Sequence, residues 1–224
     1  MDAKERFREI APNYDKEIVK IIPYYKQMIE ALINIFTFNN YEYINILDLG
    51  CGTGSLTQKI KEKFPNSRIT CMDSSKEMIN LAKKKLWDYD NIKFIIADFS
   101  DFNFNNDCYD VVLSSLAIHN LIGDEDKKNL YRRIYKALKK NGFFYIADFV
   151  SASSRHNQRL YDDVINNFVK KNSMKEKTLK YRIHREDNVH PKLVDQIKWF
   201  EKVGFREVDI VFKYYTHAVF GGRK

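Results

Sequence analysis

Three glycines at alternate positions, Gly50, Gly52 and Gly54, follow the apolar run Ile46-Leu47-Asp48-Leu49 and precede a helical pattern. Such a turn lets a ligand approach the backbone closely, and the helix it opens offers unpaired N–H groups to an anion. Asp73 closes the next apolar run. A carboxylate there can accept both ribose hydroxyls of a nucleoside lying across a sheet edge. The spacing also discriminates between nucleosides. The dinucleotide fingerprint needs its third small residue one place later than Gly54, where Ser55 stands, so an NAD-dependent oxidoreductase is the disfavoured reading.

These residues need a scaffold, and the chain supplies an alternating one. Residues 44–49, 67–72, 92–97, 109–115 and 143–150 are short, β-rich apolar runs, several without polar alternation, as buried parallel strands are. Helical patterns at 55–64, 75–86 and 124–140 separate them. The class is therefore α/β with a mostly parallel sheet. Asp124 fits a helix start and Gly142 a helix stop. Pro23 should split the amphipathic segment 13–37 into two helices. Residues 155–172 and 190–203 read as helices, and strands are expected near 206–212 and 214–220.

The run ILDLGCGTG, with MDSSKEMINLAKKK (72–85), IIADF (95–99) and VVLSSLAIHNL (111–121), resembles the class I S-adenosylmethionine-dependent methyltransferases over roughly residues 44–150. The resemblance implies a Rossmann-like, mostly parallel seven-stranded sheet with helices on both faces. It implies a single domain over 1–224, in which 1–40 and 151–190 form a helical lid and acceptor pocket. S-adenosyl-L-methionine would be the cofactor. Gly50, Gly52 and Gly54 would pass close to its methionine portion, with Asp48 ordering the loop and Cys51 a small residue that fits within it. Asp73 would take the ribose hydroxyls, beside Ser74. Met78 would lie against the adenine, Asp98 would accept its amino group, and the backbone at Phe99 would meet the ring edge. Ser114, with Ser115, would face the sulfonium, and Tyr14 would cap the cofactor's carboxylate. Bland readings stand beside these: Asp73 as a helix cap, Met78 as core, Asp98 as a turn residue.

Methyl transfer from a sulfonium is an in-line displacement of an activated group, so the protein chiefly supplies alignment and desolvation. Where the acceptor must lose a proton, His119, just past the fourth strand, is the best-placed general base; its rival reading is a packed histidine. His217 is a second candidate, with His184 and His190 behind it. Tyr24, Tyr25, Tyr181, Arg182 and Arg185 lie in the segments expected to fold over the strand ends, where they could hold an anionic or aromatic acceptor.

Charge and cysteine content bound the remainder. Of the net +8, residues 1–150 contribute 22 basic minus 21 acidic side chains and 151–224 contribute 16 minus 9, so +7 lies in the last third. Residues 170–185 alone hold seven basic residues and one acidic, either a solvated face or a patch for an anionic partner. The ends of the chain, IIPYYKQMIEAL and KWFEKVGF, also look similar to the subgroup containing tRNA wobble-uridine carboxymethyl transferases, which puts tRNA beside a small-molecule acceptor as partner. A third reading is a non-catalytic, regulatory binder of the nucleoside. Cys51, Cys71 and Cys108 lack any C-x-x-C spacing, and no apolar run approaches 18 residues. A cytoplasmic protein is expected, with no metal site, membrane span or DNA partner.

Overall fold

The computed structural model describes residues 13–172 and 190–224. Helices α1 (Tyr14–Ile21) and α2 (Tyr25–Asn34) precede β1 (Asn45–Leu49), α3 (Ser55–Lys63), β2 (Arg68–Asp73), α4 (Lys76–Lys85) and β3 (Ile92–Ile96). They are followed by β4 (Tyr109–Ser115), α5 (Asp124–Ala137), β5 (Leu138–Phe149), α6 (Arg155–Asn172), α7 (Leu193–Val203), β6 (Arg206–Tyr214) and β7 (His217–Arg223). The seven strands form one sheet in the order β3-β2-β1-β4-β5-β7-β6. Every pairing is parallel except those of β7, which runs antiparallel to both β5 and β6.

Strand alternation sorts the core into two layers. Ile46, Cys71, Val111, Leu113 and Tyr145 pack with Met28 and Leu32 of α2, Ile60 of α3 and Ile79 of α4. Leu47, Leu49, Met72, Val112 and Phe144 point the other way, onto Leu130, Tyr131 and Ile134 of α5 and Trp199 and Phe200 of α7. Helices therefore cover both faces.

Local chemistry sets the helix ends. Ser75 caps α4 by accepting the Met78 N–H at 3.2 Å, and Lys83, Lys84 and Lys85 complement the other end of its dipole. Pro23 separates α1 from α2 as the sequence predicts, and Tyr24 makes the corner in a left-handed conformation at φ 54°. One predicted boundary is wrong. The helix begins at Asp124 but ends at Ala137, because Leu138 is already extended (ψ 140°) and starts β5. Gly142 is thus a strand residue. The left-handed backbone falls on Asn141 (φ 65°), and a Cβ on Gly142 would press on the Asp110 carbonyl oxygen at 3.1 Å. Among the described residues, no helix is long and apolar enough to cross a membrane.

The strand order reverses between β1 and β4, whose following segments leave on opposite sides of the sheet. The crevice outside the carboxyl ends of those two strands is where an α/β sheet binds its ligands.

Candidate functional site

The glycine loop begins where β1 ends. The N–H groups of Gly50 and Cys51 both donate to the Met72 carbonyl of β2, at 2.8 and 2.9 Å, which bends the chain over the neighbouring strand. Gly50, Gly52 and Gly54 all have positive φ, at 76°, 54° and 80°. Their surroundings differ. A Cβ on Gly50 would lie 2.2 Å from Ala117 Cβ, and one on Gly54 2.8 Å from Leu86 Cδ1, whereas one on Gly52 would meet nothing within 4 Å. The outer two glycines allow close packing beneath the loop, and the middle one faces open space.

Asp73, the last residue of β2, holds the loop in place. One carboxylate oxygen accepts the Gly52 N–H and the other the Ser75 N–H, both at 2.9 Å. Burial pushes this carboxyl above its usual range, against the pull of the Ser75, Gly52 and Ser74 N–H groups, and the Asp98 charge pushes it further. Asp48 lies behind the loop and is buried. Its Oδ2 accepts the Thr57 hydroxyl at 2.5 Å, while its Oδ1 has no hydrogen-bond partner among the described residues. Burial raises its pKa to about 7, with Thr57 opposing and Asp73 adding to the shift. The Asp48 side chain therefore braces α3 rather than bonding to the loop.

Other predicted residues fall around this loop. Cys51 is buried, and the neighbouring Cys71 together with burial pushes its thiol well up, as suits a packed residue rather than a nucleophile. Phe99 comes within 3.7 Å of a Cβ built on Gly50, and its carbonyl accepts from Arg133 at 2.9 Å. Asp98 accepts the Ser100 N–H at 2.9 Å. Met78 is buried in the first turn of α4, just past the half-buried Ser74 and the cap Ser75. Tyr14 packs partly buried at the start of α1, and the Tyr25 hydroxyl is pushed up by burial and by the charges of Tyr14, Asp15 and Asp48. Tyr24 diverges from its neighbour: it is 52% exposed and stands edge-on to Tyr214, with ring centroids 4.7 Å apart. Ser114 corrects an expectation. Its hydroxyl is fully buried and donates to the Leu49 carbonyl at 2.7 Å, joining β4 to β1 instead of facing the crevice. Tyr181, Arg182, His184 and Arg185 lie outside the described residues.

The β4 exit forms the opposite wall. Leu116 turns the chain at φ 55°, Ala117 seats against Gly50, and a single 3-10 turn (Ile118–Asn120) presents His119. His119 Nδ1 lies 2.7 Å from Asp148 Oδ1, and the His119 backbone N–H donates to Asp148 Oδ2 at 2.9 Å. The side chains are 8% and 5% exposed. Burial raises the Asp148 pKa, but His119 and the N–H groups of Phe149 and His119 together hold it below the usual carboxylate range. Phe149 stands edge-on to His119 with centroids 5.0 Å apart, and His190 lies 5.8 Å from the same imidazole. His217 is buried and stands edge-on to Phe149, with centroids 4.8 Å apart.

Two features escaped the sequence reading. Asp148 is a lone acid inside the apolar run FFYIADFV, and a charge in a buried strand was the available signal. Asp15, beside the predicted Tyr14, reaches the start of α3. It accepts from Thr53 at 2.7 Å, Ser55 at 2.9 Å and Lys85 at 2.5 Å. Burial opposes its charge, yet Lys85 and Thr53 hold its pKa below the ordinary value.

Residues 42–204 match the family described as a methyltransferase domain. Malonyl-[acyl-carrier protein] O-methyltransferase 1 of Ilyobacter polytropus is 35% identical over 55% of this chain, and the match spans only 44% of that protein. Carboxy-S-adenosyl-L-methionine synthase of Staphylococcus epidermidis is 26% identical over 92% of this chain and 90% of its own length. Among solved structures, phosphoethanolamine N-methyltransferase 2 of Haemonchus contortus, in complex with S-adenosyl-L-methionine, superposes with a TM-score of 0.70. It is 16% identical and covers 97% of this chain and 60% of that one. With the glycine loop, the second-strand acid and the sheet order in place, the chain belongs to the methyltransferase-domain family, in its class I S-adenosylmethionine-dependent group.

Proposed function

We propose that this chain transfers a methyl group from S-adenosyl-L-methionine to a small-molecule acceptor in the crevice between the β1 and β4 exits. The observation that carries this reading is the loop itself: three left-handed glycines, the middle one open to space, with Asp73 fixing the Gly52 N–H at the sheet's carboxyl edge. Gly52 would let the methionine portion lie on the backbone, and Asp73 retains lone pairs for the ribose hydroxyls beyond the two it gives to backbone N–H groups. The orphaned Oδ1 of Asp48, beneath the loop, fits a bound group carrying a donor or a cation. When bound, the cofactor supplies a methyl group already activated on a positively charged sulfur. The protein's own contribution is to hold the loop, exclude water and orient the acceptor. Helices α1, α2 and α6 would form the covering side, since α1 packs on α6 and α2 packs across β5, β6 and β7. His119 is the candidate general base.

The full-length match to carboxy-S-adenosyl-L-methionine synthase supports a second reading, in which the same site makes a carboxylated cofactor. One experiment tests both. The purified chain is analysed by native mass spectrometry with its co-purifying ligand released and weighed, then titrated with S-adenosyl-L-methionine. Binding at a hundredfold excess over Kd should stabilise the fold by about 2.7 kcal/mol. A released S-adenosyl-L-methionine or its demethylated product supports methyl transfer, and a carboxylated nucleoside supports the second reading. No bound nucleoside and no stabilisation would overturn both.

A further inference from the structure

We propose that Asp148 is the positioning residue for His119 and that this pair sets the acceptor class: a neutral protic group, O–H or N–H, and not a carboxylate. The inference rests on the methyltransfer reading above and deepens it. A carboxylate can only accept hydrogen bonds, so Asp148 Oδ1, 2.7 Å from Nδ1, places the imidazole proton on Nδ1. In the neutral ring the lone pair then sits on Nε2, the proton-accepting nitrogen. The second carboxylate oxygen takes the His119 backbone N–H and Oδ1 also takes the Phe149 N–H, so Asp148 fixes the turn as well as the tautomer. Phe149 and His190 bound the ring on two sides. Ser151 ties His190 in place by donating to its carbonyl at 2.5 Å. Ala117, two residues earlier in the same turn, seats against Gly50 of the glycine loop.

This arrangement suits only some acceptors. With His119 neutral, the pair carries one negative charge in a nearly dry setting. Lys127 senses that charge together with those of Asp124 and Asp126, so its one positive charge is shared among three carboxylates, and its ammonium donates to the Leu121 carbonyl at 2.5 Å; buried Tyr131 also senses Asp148. A carboxylate acceptor would add a second negative charge there and would have no proton for a base to remove. A protic acceptor uses the pair fully. Its O–H or N–H proton passes to Nε2 of His119, while the freed pair on the acceptor atom forms the bond to the methyl carbon. The C–S bonding pair stays on sulfur, leaving a neutral thioether and an imidazolium facing Asp148.

The test uses the full chain. First, ¹⁵N-histidine NMR of the S-adenosyl-L-homocysteine complex, under conditions that keep imidazole neutral, reads the tautomer. The Nδ1–H form is expected in the wild type and the Nε2–H form in Asp148→Asn, whose amide can donate to Nδ1. Second, methyl-tritiated S-adenosyl-L-methionine is incubated with the small-molecule fraction of a cell extract, and the labelled product is treated with mild alkali. The label should stay bound, as in an ether or N-methyl product, and labelling should fall at least 100-fold in His119→Ala and Asp148→Asn with cofactor Kd unchanged. Release of volatile methanol, marking a methyl ester, or a wild-type Nε2–H tautomer overturns the proposal, and both readouts need only the wild type. Failure of the wild type to bind S-adenosyl-L-methionine would overturn the underlying functional reading instead.

Discussion

The two walls of the crevice are built differently. At the β1–β2 exits the site is made of main chain: glycine φ angles, N–H groups and one acid gripping them. At the β4–β5 exits it is made of side chains: an imidazole, a carboxylate and the rings around them. The first wall depends on residues that lack a side chain, so substitutions there should act on shape and affinity. The second depends on what its side chains can protonate, so substitutions there should act on turnover.

The sharpest way to break this comparison is within the loop. Gly50→Ala adds a methyl at φ 76° and 2.2 Å from Ala117 Cβ, and should cost about 3 kcal/mol, read from the urea midpoint. Gly52→Ala carries the same backbone penalty without the collision, and should cost only about 1 kcal/mol. Equal losses would mean that Ala117 does not seat on the loop. Next in size, Asp73→Ala removes the acceptor of two backbone N–H groups and should weaken S-adenosyl-L-methionine binding about 100-fold by calorimetry, with the fold retained.

A smaller effect tests the carboxyl beneath the loop. The folded-state pKa of Asp48 is raised to about 7, above its ordinary 3.8, so the folded state holds this proton more tightly than the unfolded chain. Its contribution is therefore fully present below about pH 4 and lost as pH rises through 7. Asp48→Asn should remove that decline, leaving the variant about 1–2 kcal/mol better off relative to wild type at pH 8 than at pH 4, by denaturant titration. Parallel curves would show that the group titrates normally. Smallest of all, Asp15→Asn weakens a partly exposed contact to Lys85, worth about 0.5 kcal/mol, and should speed amide exchange in α1 severalfold without altering α5.

The same contrast explains what could be read beforehand. A main-chain site leaves its mark in residue types at fixed spacing, so Gly50, Gly52, Gly54 and Asp73 stood out in the sequence, and the strand–helix alternation gave the sheet. A side-chain site leaves no spacing. His119 and Asp148 are 29 positions apart and meet only because β4 and β5 run parallel in register, with Ser115 opposite Ala147. Ser114 misled because a serine at a strand end says nothing about which way its hydroxyl turns. Gly142 misled because Asn141, a residue tolerant of left-handed backbone, carried the turn in its place. The Asp15 contacts lie 38 to 70 positions away in sequence and follow from where α1 docks, which helical periodicity does not encode.

The bond from Ser114 to the Leu49 carbonyl spans 65 positions and ties the two strands between which the crevice opens. Its consequence concerns time rather than shape. A chain emerging from the ribosome can form the glycine turn once β2 has followed it, but the crevice has only one wall until residues past Asp148 have been made and β4 and β5 have closed those long loops onto β1. Affinity for the nucleoside should thus arrive late and abruptly in synthesis, making ligand capture by stalled nascent chains of increasing length a direct clock of when the sheet is assembled.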